Sequence, residues 1–145
     1  MDKELRHKLL DYLLKILGRR PYSIKEIEQK LTQYLYKKKI SLHPQSQAEI
    51  FDFLKEKKLL DDVEFARWFV SQREDFRPKS KRGIAFELKL KGISEEITNE
   101  ALVNYSEEEA IRKIIAKKSF LPKEKLISYL FQQGFSYEAI KNVIQ

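Results

Sequence analysis

The chain contains no cysteine, only four glycines, four prolines, two histidines and one tryptophan in 145 residues. Without cysteine there is no disulfide framework, no thiolate nucleophile and no thiolate-ligated metal. So few glycines and prolines leave little turn chemistry, so long regular elements must dominate. No apolar run approaches the length of a membrane span. The opening stretch Met1-Asp2-Lys3-Glu4-Leu5-Arg6-His7-Lys8 alternates charge and lacks an apolar signal core. The expectation is therefore a soluble protein of the cytoplasm. Neither His7 nor His43 has a neighbouring ligand-spaced partner, no base–nucleophile pair suggests itself, and no glycine-rich phosphate loop occurs. These absences point away from an enzyme and from any metal or cofactor.

Charge and aromatic residues are plentiful. Charged residues make up 35% of the chain and the formal net charge is +7, with nine Phe and seven Tyr. A basic balance favours a polyanionic partner, either nucleic acid or an acidic protein surface.

Apolar spacing is helical throughout. Leu5, Leu9, Leu13, Ile16 and Leu17 form one stripe, which Gly18 is expected to end in the left-handed conformation. After Arg19-Arg20-Pro21-Tyr22, Ser23 and Glu26 form a capping box for a helix carrying Ile24, Ile27, Leu31, Tyr34 and Leu35. Lys37-Lys38-Lys39 breaks the pattern, so an enlarged connection is expected over residues 36–47, and a third helix near Ser46 buries Ile50, Phe51 and Leu54. Asp61 and Asp62 precede the next stripe (Phe65, Ala66, Phe69, Val70), where they read as N-caps rather than as paired catalytic carboxylates. Trp68 lies beside that stripe and reads as core. Arg73 to Arg82 form a cationic link to a helix with Ile84 and Leu88 inward, which Gly92 ends; Ser94 opens a short helix through Leu102. Glu107 to Glu109 occupy a first turn, where acidic residues are favoured. Pro122 opens a helix burying Leu126, Ile127, Leu130 and Phe131, Gly134 stops it, and Ser136 opens the last one.

The pattern repeats. Pro21, Ser23, Ile27 and Leu31 recur 57 positions on as Pro78, Ser80, Ile84 and Leu88. Ile84, Leu88, Gly92, Ser94 and Glu96 recur 42 positions on as Leu126, Leu130, Gly134, Ser136 and Glu138. The expected fold is all-α: three tandem three-helix repeats over 1–60, 61–105 and 106–145, docked into an elongated, curved body.

Leu60-Asp61-Asp62, Phe65-Ala66, Phe69-Val70, Arg73, Pro78-Lys79-Ser80, Ile84, Glu87-Leu88 and Lys91-Gly92-Ile93-Ser94 resemble the signature of the RecX family. Weaker likeness extends across the chain, through Arg19-Arg20, Tyr22-Ser23 and Ile27 to Leu31 in the first repeat. The family commonly ends the second helix of that repeat with glycine, where this chain has Leu35 and a lysine-rich continuation. The resemblance implies a regulator built of three-helix repeats that binds the RecA filament on single-stranded DNA. It implies restraint of strand exchange, ATP turnover and co-protease action in DNA repair and the SOS response.

The candidate contact residues are the cations that recur at the links: Arg19 and Arg20; Arg73, Arg77, Lys79, Lys81 and Arg82; Lys117, Lys118 and Lys123, with Lys125 beside them. Expected partners are the RecA filament and, weakly or indirectly, single-stranded DNA, with the protein a monomer. Two rivals are a general nucleic-acid-binding module with no RecA partner and an adaptor for some other acidic protein. Base stacking by Tyr22, Tyr34 or Tyr36 is a further option, with Tyr34 expected to be buried.

Overall fold

A computed structural model describes residues 1–144. Among them it contains nine α-helices and no strand: α1 (Lys3–Leu17), α2 (Ile24–Lys38), α3 (Pro44–Glu56), α4 (Asp62–Asp75), α5 (Lys81–Leu90), α6 (Glu95–Ala101), α7 (Glu107–Lys117), α8 (Lys123–Gln132) and α9 (Tyr137–Val143). The chain forms two compact units, Met1–Phe65 and the remainder from Ala66 onward. Among the described residues no helix is long and apolar enough to cross a membrane.

The first unit closes on Leu9, Leu13 and Ile16 of α1, Ile27 and Leu31 of α2, and Ile50, Phe51 and Leu54 of α3, with Leu60 completing the cluster. These are the stripes expected from the periodicity. Leu5, Leu17, Ile24 and Leu35 pack at its margin. Tyr34 is half-buried rather than buried, because its ring stacks on Tyr12 at 4.1 Å between centroids instead of entering the core.

The second unit buries Phe69 and Val70, Ile84 and Leu88, Ile111, Leu126 and Leu130. α5 packs on α6, and α9 packs on both α7 and α8. Trp68, expected in the core, is half-buried, because it lies beside the Phe65–Phe69 stripe rather than on it. Phe131, expected inside, is 47% exposed and stacks on Tyr137 at 6.1 Å.

Helix ends account for most departures from expectation. Gly18 caps α1 in the right-handed region, at φ −72°, because a further right-handed turn carries the Arg19 N–H to the Ile16 carbonyl. α3 starts at Pro44 instead of Ser46: proline suits the first helical position, and His43 Nδ1 accepts from the Gln45 N–H at 3.0 Å. Pro122 lies one position outside α8, as its N-cap. The enlarged 36–47 connection is mostly absent. α2 continues to Lys38 and has 15 residues against 10 in α5 and 10 in α8, so the insertion is about one helical turn. The apolar pattern stops there because that turn faces water, with Tyr36 88% exposed.

Four helices end by the same device. The residue after the turn is left-handed at Lys39, Lys58, Gly92 and Gly134, and the following N–H reaches back to the carbonyl of Leu35, Leu54, Leu88 and Leu130 respectively. Lys39 therefore takes the place of the glycine that closes α5 and α8. A non-glycine residue in that region costs about 1–2 kcal/mol, partly offset by glycine's larger unfolded-state entropy, so Lys39→Gly should stabilise the protein by roughly 0.5–1 kcal/mol. Urea unfolding of the single variant measures it, and a loss of stability would contradict the strain.

Candidate partner-binding groove

The N-terminal ends of α2 and α5 are held by matching contacts. Ser23 accepts from the Glu26 N–H at 3.1 Å, and Glu26 Oε1 accepts from the Ser23 N–H at 3.0 Å. The two neighbouring aspartates divide their roles. Asp61 Oδ1 caps its own helix by accepting from the Val63 N–H, whereas Asp62 Oδ1 accepts from the Ile24 N–H at the start of α2, 2.9 Å in each case. Burial raises the Asp62 pKa, opposed by that N–H and by Lys55, and assisted by Asp61 and Glu26. In the second unit Glu107, likewise the first residue of the helix that follows a triplet, accepts from the Lys81 N–H at 2.8 Å and from the Ser136 N–H at 3.2 Å. One carboxylate there joins the beginnings of α5, α7 and α9.

The Pro78–Ser80 link is fixed from all sides. Tyr105 is buried and uses its hydroxyl twice, donating to the Lys79 carbonyl at 2.5 Å and accepting from the Lys79 N–H at 3.2 Å. Burial raises its pKa, with Glu74 and Glu107 adding to the rise and the Lys79 backbone contact opposing it. Ser80 accepts from the Gly83 N–H and donates to the Gln133 carbonyl, both at 2.9 Å. Gly134 lies against that hydroxyl at φ +90°; a Cβ there would stand 3.1 Å from Ser80 Oγ.

This fixed link forms one wall of an open groove of about 500 Å³. Arg77 and Lys79 contribute from the α4–α5 link, and Lys117 and Lys118 from the end of α7. Two of the cation clusters recognised in the sequence thus meet across one surface. The groove's interior is apolar, with Phe76, Phe86 and Leu90 exposed by 68%, 62% and 61%. Among the described residues lining it, Glu87 is the single carboxylate. Glu87 is committed to its own neighbours: Arg73 donates to both oxygens, Nε at 3.1 Å and Nη2 at 2.7 Å, and Lys79 Nζ lies 3.0 Å away. Burial pushes the Glu87 pKa up, but the hydrogen bonds and charges of Arg73 and Lys79 outweigh it and leave the pKa below its ordinary value. Arg73 also lies 4.5 Å from the centre of the Phe69 ring, and Lys118 Nζ lies 4.7 Å from that of Tyr129.

The remaining candidates lie elsewhere. Lys81 and Arg82 line a second hollow together with Glu107, Glu108 and Glu138, so their charge is locally opposed. In the first unit, Arg19 and Arg20 border a hollow with Asp61 and Glu64. Arg20 pairs with Glu26 at 3.1 Å and stacks over Tyr22 at 3.7 Å. Lys123 and Lys125 are exposed at the start of α8, outside all three hollows. Arg73, expected in a link, belongs to the last turn of α4, where it holds Glu87. Among the described residues no group of three or more His, Cys, Asp or Glu could hold a metal ion.

Sequence reasoning missed Phe76, Phe86, Leu90 and Tyr105. The signal for two of them was present: Phe86 and Leu90 sit two residues from Ile84 and Leu88, about 200° around the helix from the buried stripe.

The middle of the chain, residues 61–102, matches the family model described as RecX, second three-helix domain. A regulatory protein RecX of Chlorobium limicola is 32% identical over 141 residues, covering 92% of this chain and 85% of the relative. The chain belongs to the RecX family. The regulatory protein RecX of Chlorobaculum tepidum is 30% identical and covers 100% of this chain and 91% of its own. The crystal structure of RecX from Lactobacillus salivarius superposes with a TM-score of 0.79 at 25% identity, covering 97% of this chain and 94% of that one. The groove's first wall, its buried serine and the Arg73–Glu87 pair all fall within the matched RecX domain, whereas Lys117 and Lys118 follow it. The RecX resemblance read from Leu60 to Ser94 is thereby borne out, as is the all-α fold.

Proposed function

We propose that this RecX-family protein binds the filament that RecA forms on single-stranded DNA. There it modulates, mainly by inhibition, the filament's recombinase, ATPase and co-protease activities in DNA repair and the SOS response. The observation that carries this reading is the convergence of Arg77, Lys79, Lys117 and Lys118 around one apolar groove, in a family whose members are named regulatory proteins. Cations at the rim favour encounter with a polyanion, and the apolar floor holds what has docked. The action is binding, not catalysis, with no resident cofactor. The protein works in the cytoplasm as a monomer built of repeats over 1–60, 61–105 and 106–145.

Strand exchange driven by RecA, with the folded protein added in substoichiometric amounts, is expected to slow. No effect at any ratio would overturn the reading. Affinity for bare and for RecA-coated single-stranded DNA across a salt series separates this role from general nucleic-acid binding, which predicts equal affinity for both and a steep loss with salt. Binding to neither would leave the adaptor for another acidic protein.

A further inference from the structure

In each of the first two repeats, the start of the second helix is covered by the segment that opens the next repeat. That segment has one pattern: a buried bulky residue, a side chain that caps its own helix, then a carboxylate that reaches across. Leu60, Asp61 and Asp62 play these parts for α2, Asp62 accepting from the Ile24 N–H. Tyr105, Ser106 and Glu107 play them for α5, Glu107 accepting from the Lys81 N–H. A buried apolar pair lies three and four positions after each acid, Phe65 with Ala66 and Ala110 with Ile111. Both covered corners are closed to water, with Ser23 and Ser80 buried.

The third repeat has the same corner without the cover. Pro122 stands 42 positions after Ser80 and is exposed, Leu121 is half-buried, and Phe120 is 77% exposed. No helix follows α9 among the described residues, and α8 begins with no side-chain cap. The terminal repeat of a stacked array ordinarily turns a polar face outward; this one offers a phenylalanine. A helix start attracts negative charge, and Lys125, in the first turn of α8, is exposed with no ion pair among the described residues. Phe120, Leu121 and Pro122 lie outside the groove described above.

We infer that the α7–α8 link and the start of α8 dock a helix of a partner protein that opens with the same pattern. Its carboxylate meets the start of α8, and its bulky residue and apolar pair pack on Phe120 and Leu121. The chemistry of the occupant is set by the two segments that fill the equivalent corners. A second copy of this chain offers no such segment. The starts of α4 and α7 are engaged within their own chain, and α1 has Lys3 as its first residue where those helices have Asp62 and Glu107. The start of α6 has Glu95 in first place but Thr98 and Asn99 where the apolar pair belongs. This surface adds a contact beyond the filament reading and does not depend on it.

The probe is a dye-labelled synthetic peptide of residues 104–117, which carries the whole pattern. A side-chain lactam on its outer face forms the helix beforehand, since so short a helix is marginal alone in water. Fluorescence anisotropy of the peptide titrated with the full chain gives the affinity. Binding is expected, and two changes should each weaken it about tenfold or more: Glu107→Lys in the peptide, and Phe120→Ala with Lys125→Glu in the protein. Phe131→Ala, which removes an exposed ring at the other end of α8, should leave it unchanged. Helicity and melting establish that each substituted chain is folded, as expected for exposed positions. Failure of the unmodified peptide to bind overturns the inference. Undiminished binding to the Phe120→Ala, Lys125→Glu chain also overturns it, because the peptide is then displacing α7 from its own place. Sedimentation equilibrium supplies the last arm: self-association that this double substitution abolishes would make a second copy the occupant and overturn the inference as well.

Discussion

Ser80→Ala should destabilise the protein by about 2–4 kcal/mol, roughly twice the loss expected from Ser23→Ala at the equivalent position of the first repeat. Each serine is the N-cap of its repeat's second helix and each is buried. Removing a serine cap costs about 1 kcal/mol on average, and the capping box at Ser23 brings the first variant to roughly 1–2. Ser80 has a second duty: its hydroxyl donates to the carbonyl of Gln133 at the end of α8. Alanine there leaves that carbonyl, part-buried beside the buried Ser80, without its donor, which adds about 1–3 kcal/mol. Gly134 shows how closely this corner is built, since any Cβ would crowd the same oxygen. Urea unfolding with unchanged m-values decides the matter. Equal losses for the two variants would mean that the Ser80–Gln133 bond contributes nothing, and that apolar packing and the Glu107 carboxylate join the second and third repeats without it.

The legibility of these two serines differs for a physical reason. A cap is a local event within four residues, so Ser23, Ser94 and Ser136 were readable from the sequence as helix starts, and Ser80 only through its alignment with Ser23. A bond across 53 residues leaves no local trace. The same division runs through the whole protein. The buried stripes and the glycine ends at Gly92 and Gly134 followed from period and backbone freedom. The extra turn of α2 did not, because lysine is a good helix former but a poor signal of a left-handed stop. At the site, the cations were recognisable by type and repetition, but their partition was not. Arg77 and Lys117 line the groove unpaired, whereas Arg73 is drawn into a pair with Glu87, a residue 14 positions away on another helix. Phe76 and Phe86 use the letters of core residues, and only register distinguishes them from core.

Glu87→Gln should produce the second largest effect among these changes, and one with a defined dependence on pH. The substitution keeps the shape of the side chain and removes the charge that answers Arg73, whose side chain is 20% exposed. Breaking a fully buried ion pair costs about 3–5 kcal/mol; discounted for the water that reaches this one, the expected loss at neutral pH is about 1–3 kcal/mol. The sign of the pH dependence follows from the lowered folded-state pKa of Glu87. The unfolded chain takes up this proton first as pH falls, so the pair's contribution is complete above the ordinary glutamate pKa and is lost as pH drops through the folded value. The stability gap between wild type and Glu87→Gln should therefore narrow on acidification. Asp62 acts in the opposite sense: its raised folded pKa makes its contribution complete below the ordinary aspartate value and lost as pH rises through the folded one. Asp62→Asn should remove that second component without altering how the Glu87→Gln gap closes, since Asp62 belongs to the first unit and Glu87 to the second. Denaturant unfolding of wild type, Glu87→Gln, Asp62→Asn and the doubly substituted chain between neutral and acidic pH measures both. A Glu87→Gln gap of constant size throughout would show that the carboxamide fails by its hydrogen-bond geometry and not by its missing charge. Arg73 would then be held by Phe69 and packing rather than by the carboxylate beside the groove.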